Sequence, residues 1–380
     1  MKPVIYADNA ATTKLREDAF EAMKPYLIEE YGNPLQPYSF SRSAKKALKE
    51  AREIIAHCIN ASPEEIYFTS GGTESDNWAI KGGAFALNSK DAIITSAIEH
   101  HAVLRSCEFI ERLGYPVAYL SVNNEGVILP EILNSIITEG TKLVSLMYAN
   151  NEIGTIQPIK QLVEIAHRNG AIFHTDAVQA VGHIDMDVKD LNVDMLSASA
   201  HKFGGPKGVG FLYVKEGTKL ASYMSGGSQE SSKRAGTHNV AAIIGMATAL
   251  QSSLNDIPKL HNLYEEERFF ISKLEKAGLV QGKDFIWNGN HKASGHLPGI
   301  INLSFYRKDG EAIMHRLDLK GIMISTGAAC DSVNTQVSHV IKAINVPEEY
   351  AKGTIRLSFN QESSHTDIDA VADALLMTLI

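Results

Sequence analysis

A lysine directly after an apolar run is the first residue here that could do chemistry. Residues 195–199 read as a strand, followed by Ala200-His201-Lys202-Phe203 and the turn Gly204-Gly205-Pro206-Lys207-Gly208. Ligands of open α/β sheets bind outside the carboxyl ends of strands, so Lys202 would face a crevice. Desolvation and cationic neighbours lower a lysine pKa, which suits a Schiff base; a solvated surface lysine is the plain alternative. His174-Thr175-Asp176-Ala177-Val178-Gln179 ends the preceding apolar run. A carboxylate at Asp176 could keep a proton on a pyridine nitrogen and make that ring an electron sink, or simply cap a helix. Thr69-Ser70-Gly71-Gly72-Thr73-Glu74 joins a strand to a helix. Its glycines and hydroxyls can cradle a phosphate through backbone N–H groups and the helix dipole, or form a capping box. It lacks the P-loop lysine and the GxGxxG spacing, which speaks against a nucleotide. Glu99-His100-His101 follows another strand; a histidine there can stack on a ring and move protons, although a lone histidine is usually structural. Cys330 stands among small residues, Ser325-Thr326-Gly327-Ala328-Ala329-Cys330-Asp331-Ser332. Small flanks make an accessible loop, where a thiolate can attack and be passed on. Cys58 and Cys107 fall in helical apolar patterns and read as packing.

The elements that must position these residues alternate. Short apolar runs at 66–69, 93–96, 117–121, 143–148, 172–175, 195–199 and 211–214 read as strands. Helical patterns such as 73–87, 102–112 and 160–168 lie between them. Strand–helix alternation with nearly continuous apolar strands predicts an α/β fold, a mostly parallel sheet covered on both faces. After about residue 255 the rhythm changes: a long charged helix (260–276) precedes strands at 300–304, 322–325 and 354–358, with helices at 310–319, 337–343 and 367–379. That predicts a second, smaller α/β domain. Helices at 17–31 and 43–59 begin the chain.

Composition bounds the function. The 380 residues are 44% hydrophobic and 21% charged, the balance of a soluble globular protein of about two domains. A net charge of −8 argues against direct nucleic-acid or anionic-membrane binding. No apolar stretch approaches a membrane span. The first nine residues resemble neither a signal nor a transit peptide, and the three distant cysteines suit a reducing cytoplasm. No His/Cys cluster predicts a metal site.

Taken together, the motifs resemble the cysteine desulfurases, the NifS/IscS-like branch of the fold-type I, class V aminotransferase superfamily. The resemblance also runs through Tyr6-Ala7-Asp8-Asn9-Ala10-Ala11-Thr12-Thr13, Ala149-Asn150-Asn151-Glu152-Ile153-Gly154, Gly226-Gly227-Ser228-Gln229-Glu230, Arg234-Ala235-Gly236-Thr237-His238-Asn239 and Gly353-Thr354-Ile355-Arg356-Leu357-Ser358. It implies a fold-type I pyridoxal-phosphate enzyme: a large domain over 15–255 with a seven-stranded, mostly parallel sheet, and a small domain formed by 1–14 with 256–380. It implies that Lys202 carries pyridoxal 5'-phosphate as a Schiff base and later moves the substrate α-proton. Asp176 then pairs with the ring nitrogen, Gln179 and Asn151 serve the ring edge, and His100 stacks on the ring. Gly72, Thr73, Ser199 and His201 hold the phosphate, and Thr237 reaches the cofactor of the partner in a homodimer with shared sites. Arg356, with Asn33 and Asn151, binds the carboxylate of L-cysteine, and Cys330 is the nucleophile that takes the sulfur as a persulfide. The sulfur acceptor is a protein such as an iron–sulfur scaffold, or a partner in tRNA or DNA thiolation. The family's Gly-Ser-Ala-Cys is here Gly327-Ala328-Ala329-Cys330, and its NPSSxHxxG is Asn33-Pro34-Leu35-Gln36-Pro37-Tyr38-Ser39-Phe40-Ser41. A selenocysteine lyase or an aminotransferase on the same scaffold is the competing activity; Cys330 speaks against the aminotransferase.

Overall fold

The computed structural model describes residues 4–86, 90–326 and 337–379, so Cys330 lies outside the described residues. Twelve strands are described: β1 (Ile5–Tyr6), β2 (Ile66–Thr69), β3 (Ala92–Ser96), β4 (Val117–Leu120), β5 (Thr141–Ser145), β6 (Ile172–Asp176), β7 (Met195–Ser199), β8 (Gly210–Val214), β9 (Phe285–Asn288), β10 (Ile300–Phe305), β11 (Ile322–Met323) and β12 (Thr354–Ser358). Seven of them form one sheet in the order β2-β8-β7-β6-β5-β3-β4. The pairs from β7 through β4 are parallel, while β8 runs antiparallel to both β7 and β2. Every strand of this sheet except β8 therefore delivers its carboxyl end to the same edge.

The pleat explains why these strands read as unbroken apolar runs. Neighbouring residues point to opposite faces. Ile93, Leu143, Met195 and Leu212 enter one buried cluster with Trp78, Ile80, Val103 and Ile110. Their immediate neighbours Ile94, Val144, Leu196 and Phe211 enter another, with Phe173, Met246 and Leu250. A strand covered on both faces has no polar side to show.

A third apolar cluster gathers Phe270, Phe285, Leu303, Phe305, Ile355, Leu357 and Leu375, and takes Ala7 from the start of the chain. Its sheet is β12-β10-β9, antiparallel throughout. The chain start is tied to it by β1 pairing with β11 and by a bridge from Asp8 to Ser358.

The sequence pattern misses several elements. The strand β1 carries only two residues, too few for a period, and β9 is a run of four, Phe285–Asn288, that ends on a polar residue. The helix Val240–His261 escapes for the opposite reason. Its first half, Val240-Ala241-Ala242-Ile243-Ile244-Gly245-Met246-Ala247, offers no polar face, and it packs against the helices Glu17–Ile28 and Arg42–Cys58. A helix buried all round shows no amphipathic stripe.

Candidate active site

A cavity of about 550 Å³ opens at the carboxyl edge of the seven-stranded sheet, a size typical of small-molecule sites. It is lined by Gly72, Thr73, His100, Asn151, Asp176, Gln179, Ser199, His201, Lys202 and Arg356, ten of the residues singled out in the sequence. Asn33 and Thr237 do not line it. Asn33 is half-buried and accepts a hydrogen bond from the Leu35 N–H (3.0 Å), and Thr237 is exposed. Ala10, Ala11, Thr12, Asp76 and Lys207 also line the cavity and carried no role in the sequence reading.

Lys202 sits in the single helical turn Ala200–Lys202 after β7. Its Nζ donates to the carbonyls of Ala10 (2.7 Å) and Ala11 (2.9 Å), so the first residues of the chain fix the amine from the far side. The Gln179 amide donates to the same Ala10 carbonyl (2.9 Å). These acceptors are backbone oxygens, which no side-chain pattern can announce.

Asp176 ends β6 and accepts the Val178 N–H at Oδ1 (2.9 Å). Burial pushes its carboxyl up to about 6, against that hydrogen bond and the Lys202 charge. His100 caps the helix His101–Arg112: its Nδ1 accepts the Ala102 N–H (3.1 Å). Burial, then Lys202, lowers its pKa to about 4. The ring is therefore neutral near pH 7, and the capping bond leaves Nε2 to carry its proton.

The glycine turn after β2 lines the same cavity. Gly71 has φ +142°, a conformation L side chains rarely adopt, and a Cβ on Gly72 would stand 2.5 Å from Val178 Cγ2. The helix that starts at Gly72 leaves its first amides without intrahelical acceptors. Ser199, 3% exposed, lies against this turn, its Oγ 3.4 Å from where a Cβ on Gly71 would stand, and His201 lines the same cavity. His201 Nδ1 hydrogen-bonds Thr12 Oγ1 (3.1 Å), and its pKa is lowered to about 4 by burial, then by Lys202 and Lys207.

Arg356, on β12, is 3% exposed. Its Nη1 donates to the Asn151 carbonyl (2.9 Å) and its Nη2 to Asp8 Oδ1 (2.7 Å), while Nε has no hydrogen-bond partner. Its place in the cavity wall depends on the chain start and on the loop after β5.

This donor set fits pyridoxal 5'-phosphate. A glycine turn whose Gly72 has no room for a Cβ beside Val178, a buried carboxylate and a lysine amine line one cavity. Residues 5–371 match the aminotransferase class-V family, whose members depend on this cofactor. The chain is 50% identical over 377 residues to the cysteine desulfurase IscS of Dictyoglomus turgidum, covering 99% of this chain and 94% of that one. It is 45% identical over 375 residues to the IscS of Methanosarcina thermophila, covering 98% and 91%. Among solved structures, a NifS-like protein superposes with a TM-score of 0.91 at 33% identity, covering 99% of both chains. SspA in complex with cysteine superposes with a TM-score of 0.82 at 34% identity, covering 96% of this chain and 100% of that one. The chain belongs to the aminotransferase class-V family, in the branch of its cysteine desulfurases.

Proposed function

We propose that this protein is a pyridoxal-phosphate-dependent cysteine desulfurase, which turns L-cysteine into L-alanine and leaves the sulfur on Cys330 as a persulfide. The observation that carries this reading is the convergence of Lys202, Asp176, His100, the glycine cradle and Arg356 on one cavity. The names of the relatives support it, and the solved complex of SspA with cysteine supports the substrate.

In this reading Gly72, Thr73, Ser199 and His201 hold the cofactor phosphate, Asp176 its ring nitrogen, and Gln179 and Asn151 its edge. Bound there through Lys202, the cofactor supplies an electron sink for the pair released at the substrate α-carbon. Arg356 orients the substrate carboxylate, a task for a planar fork, with Asn33 and Asn151 assisting. Lys202 Nζ moves the α-proton, and neutral His100 offers a proton from Nε2. The Cys330 thiolate attacks the substrate sulfur. The S–S bond forms as the carbon–sulfur bond breaks; its electron pair stays with carbon, which is protonated to give alanine. Cysteine and the thiol thus become alanine and the persulfide, with no outside oxidant.

Thr237 then serves the cofactor site of a partner subunit. Its exposure, and the exposed apolar side chains Leu27, Ile28, Tyr31, Leu35 and Tyr38, support a homodimer, since large exposed apolar patches mark interfaces. Two domains, 15–255 and 1–14 with 256–380, are supported by the separate apolar cluster that Ala7 joins. The persulfide sulfur passes to a protein acceptor such as an iron–sulfur scaffold, in the cytoplasm; no helix among the described residues is long and apolar enough to cross a membrane.

The test compares wild type with Cys330→Ala on L-cysteine and a reductant, recording sulfide, alanine and the visible absorption of the cofactor. Wild type is expected to release sulfide and alanine in equal amounts. The variant keeps the absorption and loses the sulfide. Absorption in both proteins with sulfide from neither moves the activity to an aminotransferase or a lyase.

A further inference from the structure

Two buried carboxyl groups, Asp76 and Asp176, line the cavity wall, and a third, Glu99, is buried behind them within electrostatic reach. Asp76 is 1% exposed, Glu99 0% and Asp176 5%. They arrive from three elements: the helix Gly72–Asn77, the turn after β3, and the end of β6. Polar atoms of Asp76, His100 and Asp176 all lie within 4.8 Å of one another. Two anions so close, with Glu99 a third buried carboxyl that acts on Asp76 and is acted on by Asp176, would each cost several kcal/mol, about what desolvating an unpaired ion takes.

The neighbours do not balance three charges. His174 stands beside Asp76, its Nε2 3.7 Å from Asp76 Oδ1. Both of its nitrogens are engaged, with Ser145 Oγ (2.8 Å) and Ser197 Oγ (2.9 Å), and burial depresses its pKa to about 3. His100 is neutral as well. The remaining cation, Lys202, acts on Asp176, which also accepts the Val178 N–H. Glu99 accepts from Ser96 Oγ (2.6 Å) and the Met147 N–H (3.0 Å), yet burial still pushes it up to about 8. Asp76 interacts with Ser197, and its Oδ1 has no hydrogen-bond partner. Burial, then Asp176, drives its pKa well above the usual carboxylate range.

Two acids sharing a site cannot both ionise cheaply, and the one with the cation keeps the charge. We propose that Asp76 is a positioning residue: it stays protonated and directs that proton as a hydrogen bond toward Asp176, so that Asp176 alone presents the negative charge to the cofactor ring nitrogen. The proposal rests on the cofactor reading above. It explains a fully buried acid whose oxygen lacks a partner, because a neutral carboxyl is a donor as well as an acceptor. It also separates the two acids by role, one neutral and one charged, as paired carboxyls with different surroundings do elsewhere.

The experiment reconstitutes wild type, Asp76→Asn and Asp76→Leu with pyridoxal 5'-phosphate. Cofactor dissociation and the pH dependence of the visible absorption are measured on each, with circular dichroism to verify folding. Asn keeps a neutral donor, and Leu removes it at similar size. The Asn variant is expected to hold the cofactor within about 3-fold of wild type, because its N–H replaces the O–H. The Leu variant is expected to bind about 10- to 100-fold more weakly, the effect of losing a hydrogen bond to a charged group. Its acid-side spectral midpoint should move up by about one pH unit as Asp176 loses its donor. Asp76→Ala serves as the donor-less variant should the Leu variant not fold. An Asn variant as weak as the donor-less one makes Asp76 an anion and overturns the proposal. Wild-type behaviour in all variants also overturns it. A wild-type chain that takes up no cofactor defeats the cofactor reading itself, a result distinct from either.

Discussion

At the scale of single residues, function and stability pull against each other at Asp176. Its pKa lies above that of an ordinary carboxylate because burial penalises the charge. The sign follows from proton linkage. Over the window from about 4 to about 6 the folded cofactor-free chain binds more protons than the unfolded one, so this group lowers stability as pH rises. At neutral pH the apoprotein carries that cost in full. Asp176→Asn should therefore make the cofactor-free protein more stable at neutral pH by about 1–3 kcal/mol, while weakening cofactor binding by about 100-fold or more, as loss of a buried charge partner does. Thermal unfolding of the apoprotein at acid and neutral pH checks it: the advantage of the variant should shrink toward the acid end. An unchanged melting temperature at neutral pH would mean that Asp176 is stabilised by a partner beyond Val178 and Lys202. This is a residue whose type and position were legible in the sequence. Its neighbour Asp76 was not, because an acid inside Thr73-Glu74-Ser75-Asp76-Asn77 looks like any solvated helix residue until the helix is docked.

At the scale of elements, the segment that bears Thr237 is held by two acids. Glu230, Ser231 and Ser232 all have positive φ (46°, 55° and 62°), a conformation that costs a non-glycine residue roughly 1 kcal/mol or more. The Glu230 carboxylate accepts from Arg52 (2.6 and 2.9 Å), His238 Nε2 (2.7 Å) and the Phe68 N–H (2.9 Å). Arg52 also lies over the Phe68 ring at 4.2 Å. A few residues on, Arg234 forks onto Glu74 (2.7 and 3.0 Å), and Glu74 accepts the Ser70 N–H of the glycine turn (2.7 Å). The turn and the segment are thus joined. Burial alone would raise the Glu230 pKa, but the hydrogen bonds of His238 and Arg52 outweigh it and bring it down to about 2. A depressed acid stabilises above its unfolded pKa and loses that contribution as pH falls through the folded one. Glu230→Gln should cost about 3 kcal/mol at neutral pH, a deficit that closes between about pH 4.5 and about pH 2. Urea unfolding over that range measures it; a deficit independent of pH would assign the loss to packing. The motif Gly226-Gly227-Ser228-Gln229-Glu230 was visible in the sequence, but its hold on β2 was not, since Arg52 lies 178 positions away.

At the scale of the whole molecule, the two ends of the chain meet at the cavity. Asp8 and Arg356 are 348 positions apart and form one ion pair (2.7 Å), with Arg356 3% exposed and Asp8 19%. If Arg356 takes the substrate carboxylate as proposed, Asp8 sets the angle at which the guanidinium enters the cavity. Asp8→Asn should raise KM for cysteine about 10-fold with kcat within about 3-fold, the pattern of lost ground-state positioning. Steady-state kinetics on L-cysteine decides; an unchanged KM would leave the Asn151 carbonyl and β12 as sufficient supports.

The sequence by itself determined the strands of the large sheet and most of the residues that line the cavity. Strands buried on both faces announce themselves as apolar runs, and a lysine, a carboxylate and a glycine turn at strand ends carry their chemistry in their residue types. Only the tertiary structure decided which partners those residues meet. The carbonyls of Ala10 and Ala11 against Lys202, Asp8 against Arg356, and Asp76 beside Asp176 are contacts between distant segments, through groups that leave no pattern in a linear sequence. The order of strands in a sheet brings them together, and that order depends on the packing of whole layers rather than on the period of any one element.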